Sequence, residues 1–585
     1  MSKSIKAFPN ANQLSKLALA IVCVNSAIVA ASPTGGVVNT GSASIDNTVP
    51  NTTTITQTTD VVSINWDTFN VGSDESVNFV QDSSDVAINN IYDSNASDIQ
   101  GSITGNGTIF LSNTNGFIFG AGSTVNTGSF LATTLDIGIP DGTVDTIKLT
   151  TSADPSGSIL INTAASITAT GTPENGGYLA FISKSITSSS SLYSENSEVL
   201  LSNDVKTSVK LSGLDINFDA NNEKNTVNSL NLEGSTISAK AVLLNSAELS
   251  GLLDSAINPP TSITADHLKI SADSANEDIS SSLYNAIDEY STQNDNLSIQ
   301  KLSLTDKSLD GHLEFSSNIS IKDGIDLELS AKNISFVDGN LSGTESDVTL
   351  NGDIVNIANF SDSFGSSNGL GSLTLNGNTA IQGSVNTIDD IVINGDTTLS
   401  FNDTTRFRSR DGSVTLNGSL KHSAGTGKLY IRSGGSMGIE LGETTDFSEI
   451  SLNASKLTLN GDIKATNAIT INNIDAAKNT EIKINPDNTL GANSISIESN
   501  NISIEDFFFT SSNESNALNF NVIDNGSLTL SNSSIDENNT SNYLNTIYIN
   551  NKNGIASELN PKVIIGGDFH TSNFIIGKND ESTNL

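Results

Sequence analysis

One short phrase constrains the fold more than any other feature: two apolar residues flanking Thr or Val, followed by Asn-Gly, returning along the chain. Its clearest copies are Val348-Thr-Leu-Asn-Gly352, Leu373-Thr-Leu-Asn-Gly377, Ile391-Val-Ile-Asn-Gly395, Val414-Thr-Leu-Asn-Gly418 and Leu457-Thr-Leu-Asn-Gly461. Successive glycines lie 25, 18, 23 and 43 residues apart, the last interval being two rungs. A period of about 20 residues is that of a solenoid, whose repeats bury their apolar faces only against one another. In each copy the alternation puts two apolar residues on the inner face. Asn-Gly is expected to supply the positive φ that turns the corner, and the Asn side chains to stack as ladders from coil to coil. Hairpins also use Asn-Gly turns, but they pair strands at spacings of about 8–12 residues, and further short strands fill the intervals here. The expectation is an all-β chain forming a right-handed parallel β-helix.

Composition agrees. Hydrophobic residues make up 36% of the 585 residues, mostly Ile, Leu and Val in short alternating runs, which is too apolar for a disordered chain. The formal net charge is −38, from 65 acidic and 27 basic residues, so the surface repels phosphate backbones and nucleic acid is not an expected partner. Lys3, Lys6 and Lys16 precede the apolar run Leu17 to Val24, and small residues lead to Ser32, which reads as a signal peptide over 1–31. That run is short for a membrane span. Cys23, the one cysteine, falls inside this leader. The mature chain is therefore expected to hold together by core and hydrogen bonds alone, which suits passage through the periplasm unfolded. The last third lacks the ten-residue strand pattern and aromatic girdles of an outer-membrane barrel, so export is expected to need a separate protein.

The rhythm breaks once. From Asn276 to Tyr290 the residues Ile279, Leu283, Tyr284, Ala286, Ile287 and Tyr290 fall at helical spacing. This predicts a short helical insertion within 261–300, between an N-terminal β-helix domain over 32–260 and a β-helix passenger over 301–585.

Residues 33 to 137 carry an ordered series of phrases: Pro33-Thr-Gly-Gly-Val37, Gly41-Ser-Ala-Ser-Ile45, Thr54-Ile-Thr-Gln57, Val62-Ser-Ile-Asn-Trp66-Asp-Thr-Phe-Asn-Val-Gly72 and Glu75-Ser-Val-Asn-Phe79. It continues with Ile99-Gln-Gly-Ser-Ile103, Gly107-Thr-Ile-Phe-Leu111, Asn113-Thr-Asn-Gly116, Phe119-Gly120, Val125-Asn126 and Leu131-Ala-Thr-Thr-Leu-Asp136. In order and spacing this resembles the two-partner secretion domain of filamentous haemagglutinin-type exoproteins, and the wording around Trp66 is closest to the high-molecular-weight adhesin branch. The resemblance implies N-terminal capping strands, a partner outer-membrane transporter, and a protein secreted or held at the cell surface. It also implies a secretion motif at Asn113, Thr114, Asn115 and Gly116, where relatives usually have Asn-Pro-Asn-Gly. Proline presets φ in such a turn, whereas Thr114 must be held by its surroundings. Trp66, Phe69, Phe79, Phe110, Phe117 and Phe119 are expected in the core of the cap, because the open end of a β-helix invites edge pairing.

Parallel β-helices also include polysaccharide lyases, so catalysis needs testing. The four histidines are scattered without metal-ligand spacing, and no nucleophile elbow or phosphate loop occurs, so neither cofactor nor catalytic residue is assigned. All four arginines lie close together: Arg406, Arg408, Arg410 and Arg432. The first three alternate and are expected to share one strand face, either paired with surrounding acids or open to an anionic glycan. The expected function is adhesion or another binding role toward a host or surface glycan or protein receptor. A secreted polysaccharide-degrading β-helix enzyme and a structural matrix or filament component are the alternatives.

Overall fold

Alternation builds the strands. In Thr52–Gln57 and Val61–Trp66 every second residue is buried, and the same pattern recurs in Ser384–Thr387, Ile391–Asn394 and Gly427–Ser433. The computed structural model describes residues 32–584 except 140–143, 151–156, 206–207, 219–228, 247–261, 273–296, 308–309, 316–318, 338–340, 359–362, 365–369, 402–403, 474–479, 485–487, 506–507, 511–516, 532–533, 536–543, 553–561, 566–570 and 579–580. The signal peptide over 1–31 and the helical segment Asn276 to Tyr290 lie outside the described residues. The flanks of the expected insertion do not: Ser262–Ala272 and Leu297–Asp306 are strands that pair in parallel with each other. The boundaries 261 and 300 thus take solenoid strands into the insertion, because periodicity locates an interruption but not its edges.

The architecture is a parallel β-helix. Val37–Thr40 runs antiparallel to Val61–Trp66, and Ala43–Asp46 runs antiparallel to Thr52–Gln57, so antiparallel strands cover the N-terminal end. From there each strand pairs in parallel with its counterpart one coil on. Ile391–Asn394, Thr397–Leu399 and Thr404–Ser409 are followed by Val414–Leu416, Leu420–His422 and Gly427–Ser433, giving three faces per coil. The last described strands, Thr571–Lys578 and Glu581–Asn584, also pair antiparallel.

Inside, like residues stack. Val348, Leu373, Ile391, Val414, Ile439, Leu457, Ile482, Ile504 and Leu530 form one buried column through successive coils. Each such side chain contributes about 1.5–3 kcal/mol on leaving water. The interval from Gly418 to Gly461 does span two rungs, since Leu416 pairs with Leu441 and Leu441 with Leu459.

The expected role of the repeated glycines needs correction. Of the five, only Gly377 has positive φ, at +120°. At Gly352 the strand Val348–Ala358 runs straight through Asn-Gly, while Gly395, Gly418 and Gly461 sit at bends made without positive φ. Glycine is required by the close approach of coils: a Cβ on Gly395 would lie 2.1 Å from the Gly377 carbonyl oxygen, and one on Gly418 would lie 2.2 Å from that of Gly395. The Asn ladder does form. Asn376 Nδ2 donates to Asn351 Oδ1 (2.7 Å), Asn394 Nδ2 to Asn376 Oδ1 (2.8 Å) and Asn417 Nδ2 to Asn394 Oδ1 (2.6 Å).

A second layer lies outside the solenoid. Asp136–Gly138, Thr146–Thr150, Leu214–Phe218 and Val209–Leu211 form a separate four-stranded sheet. It covers an apolar stripe on the outer face of the coils, where Ile88, Phe110, Leu131, Ala180 and Leu200 follow one another in register. Phe110 therefore packs outward beneath this cover, whereas Trp66, Phe69, Phe79, Phe117 and Phe119 fill the interior. Trp66 meets Phe69 edge-on at 5.4 Å, and its Nε1 donates to Asn89 Oδ1 (2.9 Å).

Candidate functional site

The Asn113–Gly116 turn joins two strands of one coil. Thr108–Asn113 is buried throughout, and Gly116–Phe119 resumes directly after it. Asn113 is fully buried, and its Oδ1 accepts the Asn115 backbone N–H at 2.9 Å, the Asx turn expected of Asn at this position. Its Nδ2 donates to Asn95 O (3.1 Å) and Ser97 Oγ (3.0 Å) in the preceding coil, and Asn115 Nδ2 donates to Asp93 O (2.7 Å). On the other side, a Cβ on Gly116 (φ +101°) would lie 2.3 Å from Ser158 O. Positive φ belongs to Gly116 alone, not to Asn115. The turn is a clamp across three coils. What it leaves accessible is the partly exposed Thr114 and Asn115, beside the exposed ring of Tyr92 (69%).

The arginines divide. Arg406 and Arg408 point outward from Thr404–Ser409, while Arg410 lies past the strand end and pairs with Asp411 (2.9 Å). The shared face thus holds Arg406 and Arg408, joined in register by Tyr430 and Arg432 of the next coil. Arg408 sits over the Tyr430 ring, 5.5 Å from its centroid. Arg406 Nη1 donates to Thr404 O (3.2 Å). Among the described residues, Arg406, Arg408 and Arg432 form no ion pair.

A third feature was not foreseen. Where the covering sheet ends, a cleft of about 360 Å³ opens, with Leu200, Val209 and Leu243 on its apolar side and Lys210, Lys269, Lys307 and His267 on its basic side. His267 Nε2 lies 2.7 Å from Ser303 Oγ, and Ser303 donates its one hydroxyl proton to Glu328 Oε2 (3.1 Å). The imidazole must then donate from Nε2. Burial, with Lys269 and Lys301 nearby, lowers the His267 pKa to about 4. Burial alone would raise the Glu328 pKa, but the Lys301 ammonium at 2.7 Å and bonds from Ser303 and Asn351 hold it below the usual carboxylate range. A hydroxyl placed between imidazole and carboxylate is not activated as a nucleophile, since the imidazole is its donor. The signal for this cleft was the loss of outward apolar residues after Leu243.

The molecule is a capped parallel β-helix with an aromatic-packed N-terminal section and an outer cover. Within it, residues 29–287 match the family described as the TPS secretion domain. This chain carries a two-partner secretion domain, and it is an exoprotein exported through the outer membrane, to be secreted or associated with the surface. Two curated relatives are Heme/hemopexin-binding proteins of Haemophilus influenzae. One is 40% identical over 106 residues, which is 18% of this chain and 12% of the relative. The other is 39% identical over 98 residues, 17% of this chain and 11% of the relative. The likeness thus spans a small part of those proteins' length. Among solved structures, the HMW1 secretion domain from Haemophilus influenzae aligns with a TM-score of 0.34 at 16% identity, covering 71% of this chain and 100% of that one.

Proposed function

We propose that the coils up to Leu243, with their outer cover, form an export module recognised by a partner outer-membrane transporter. The coils from Ser262 onward then present a surface that binds a receptor, as an adhesin does. The observation that carries this reading is the clamp at Asn113, buried, closing its own turn and bonded to the preceding coil, inside the region that matches the secretion domain. In this reading Asn113 and Gly116 shape the coil, and Thr114, Asn115 and Tyr92 are what a transporter touches. The regular outward ladders of the later coils suit a binding role, because they offer a long rigid face with side chains already ordered. The ligand named for the curated relatives stays with them, since the likeness takes in 12% or less of their length.

Pulse-chase fractionation of cells expressing the chain with its transporter tests the reading. Tyr92→Ala and Asn115→Ala should fold as the parent does, yet be secreted several-fold less, with leader-cleaved product held in the periplasm. Normal secretion of both variants would place recognition elsewhere in the domain.

A further inference from the structure

We infer that the outward face made by Arg406, Arg408 and Arg432 is a binding site for an acidic polysaccharide. The inference deepens the surface-binding reading, though its test does not depend on export. The argument begins with register. Where charged side chains meet in register elsewhere among the described strands, their signs are opposite: Lys210 with Asp215, Lys301 with Asp326, Lys428 with Glu449 and Lys456 with Glu481. Arg408 faces Arg432, like against like, on adjacent strands about 4.8 Å apart. Such a pairing is destabilising unless an anion joins it.

The protein does not lack anions to supply. It carries 65 acidic residues against 27 basic ones, and Lys428 on the same strand as Arg432 is neutralised by Glu449 at 3.0 Å. Arg410 is likewise neutralised by Asp411. The three arginines without an acid are the ones that converge. Tyr430 lies beside Arg406 in register, and the Arg408 guanidinium sits over its ring, 5.5 Å from the centroid. A guanidinium resting on an aromatic ring keeps its planar fork of N–H donors free for two parallel hydrogen bonds to a carboxylate or sulfate. The patch spans two coils, a footprint of two or three oxyanions repeated at sugar spacing. An acidic polysaccharide supplies these along a stiff chain. Duplex nucleic acid is disfavoured, because its remaining phosphates would lie against an anionic protein.

The test uses the purified full chain and three immobilised probes at low ionic strength: dextran sulfate, polygalacturonate and neutral dextran. The parent should bind one or both acidic probes and not neutral dextran, and salt should release it. The double variant R408Q/R432Q should lose at least tenfold in affinity while melting no lower than the parent, since it relieves a like-charge contact. The control R410Q/K428Q should bind as the parent does. Sulfate alone, polygalacturonate alone or both would each support the site and say which oxyanion it takes. No preference over neutral dextran would overturn it, as would equal loss in the control pair or tighter binding of a DNA duplex. A chain that binds these probes but is not exported leaves this inference standing and fails the export reading alone.

Discussion

Leu243 and Lys269 occupy one outward position on adjacent coils, paired in register, and the change from one to the other marks where the outer cover ends. Behind Leu243 the same column reads Leu200, Ala180, Leu131, Phe110 and Ile88, all under the four-stranded sheet. Beyond Lys269 it reads Ser303 and Glu328, open to solvent or to the cleft. The column explains how a uniform solenoid carries two different sections: the interior is alike throughout, and only the outer face changes.

Opposite outcomes are therefore expected along one column. Leu131→Lys buries an unpaired ammonium beneath the cover and should cost about 3 kcal/mol or more. Lys269→Leu should stay within about 0.5 kcal/mol. Hydrogen exchange of Thr146–Thr150 in the cover reports both, rising strongly in the first variant and not in the second.

At the clamp, Asn113→Ala removes two donors and one acceptor from a dry site, leaving the Asn95 carbonyl and the Asn115 N–H unpaired. An unmade buried bond costs about 1–3 kcal/mol, so this coil should exchange faster and be cleaved sooner by protease. Thr114→Pro should be neutral or slightly stabilising. A residue before proline must be extended, and Asn113 already ends a strand. A lower melting temperature for Thr114→Pro would mean that the Thr114 N–H is needed.

The period, the two-rung interval, the Asn ladder and the Asx turn were legible in the sequence because each is a local pattern repeated at fixed spacing. The cover was not foreseen, although its trace is there. Val86-Ala-Ile, Ile109-Phe-Leu, Phe130-Leu-Ala and Leu179-Ala-Phe-Ile are continuous apolar runs, as strands buried on both faces require. The strands of the cover itself alternate like any others, so nothing local separates them from the solenoid. The reason for the repeated glycines was misjudged on the same ground: close approach of coils is a contact between residues far apart in sequence. The Arg408–Arg432 contact was hidden likewise, because the two lie a coil apart.

His267 should make stability depend on pH. Its folded pKa, about 4, is below the ordinary value of 6.5, so the folded chain resists a proton that the unfolded chain accepts. The stabilisation is present in full above about pH 6.5 and is lost as pH falls from there toward 4. His267→Gln should flatten this part of the melting profile, with the remaining acid sensitivity coming from carboxylates such as Glu328. The effect is modest because the imidazole is half-exposed and solvent screens it. An unchanged slope between pH 6.5 and 4 in the variant would remove His267 from the account.

The glycine stack and the Asn ladder make the sharpest paired prediction, because they run side by side through the same coils. A Cβ on Gly395 meets the Gly377 carbonyl oxygen at 2.1 Å, and that oxygen belongs to backbone pinned by coils on either side. Backbone shift is the only relief, so Gly395→Ala should cost about 1–3 kcal/mol, the range for overpacking a rigid site. Asn394 is the neighbouring rung: its Nδ2 donates to Asn376 and its Oδ1 accepts from Asn417, both near the surface where water replaces a lost partner. Asn394→Ala should then cost only about 1 kcal/mol. The solenoid need not melt as one unit, so a melting temperature does not say which coils loosen. Hydrogen exchange resolved to Leu373–Ile381, Ile391–Asn394 and Val414–Leu416 does. Protection should fall across all three strands in Gly395→Ala and only slightly in Asn394→Ala. The reverse order would show that side-chain stacking, rather than close backbone approach, holds these coils together.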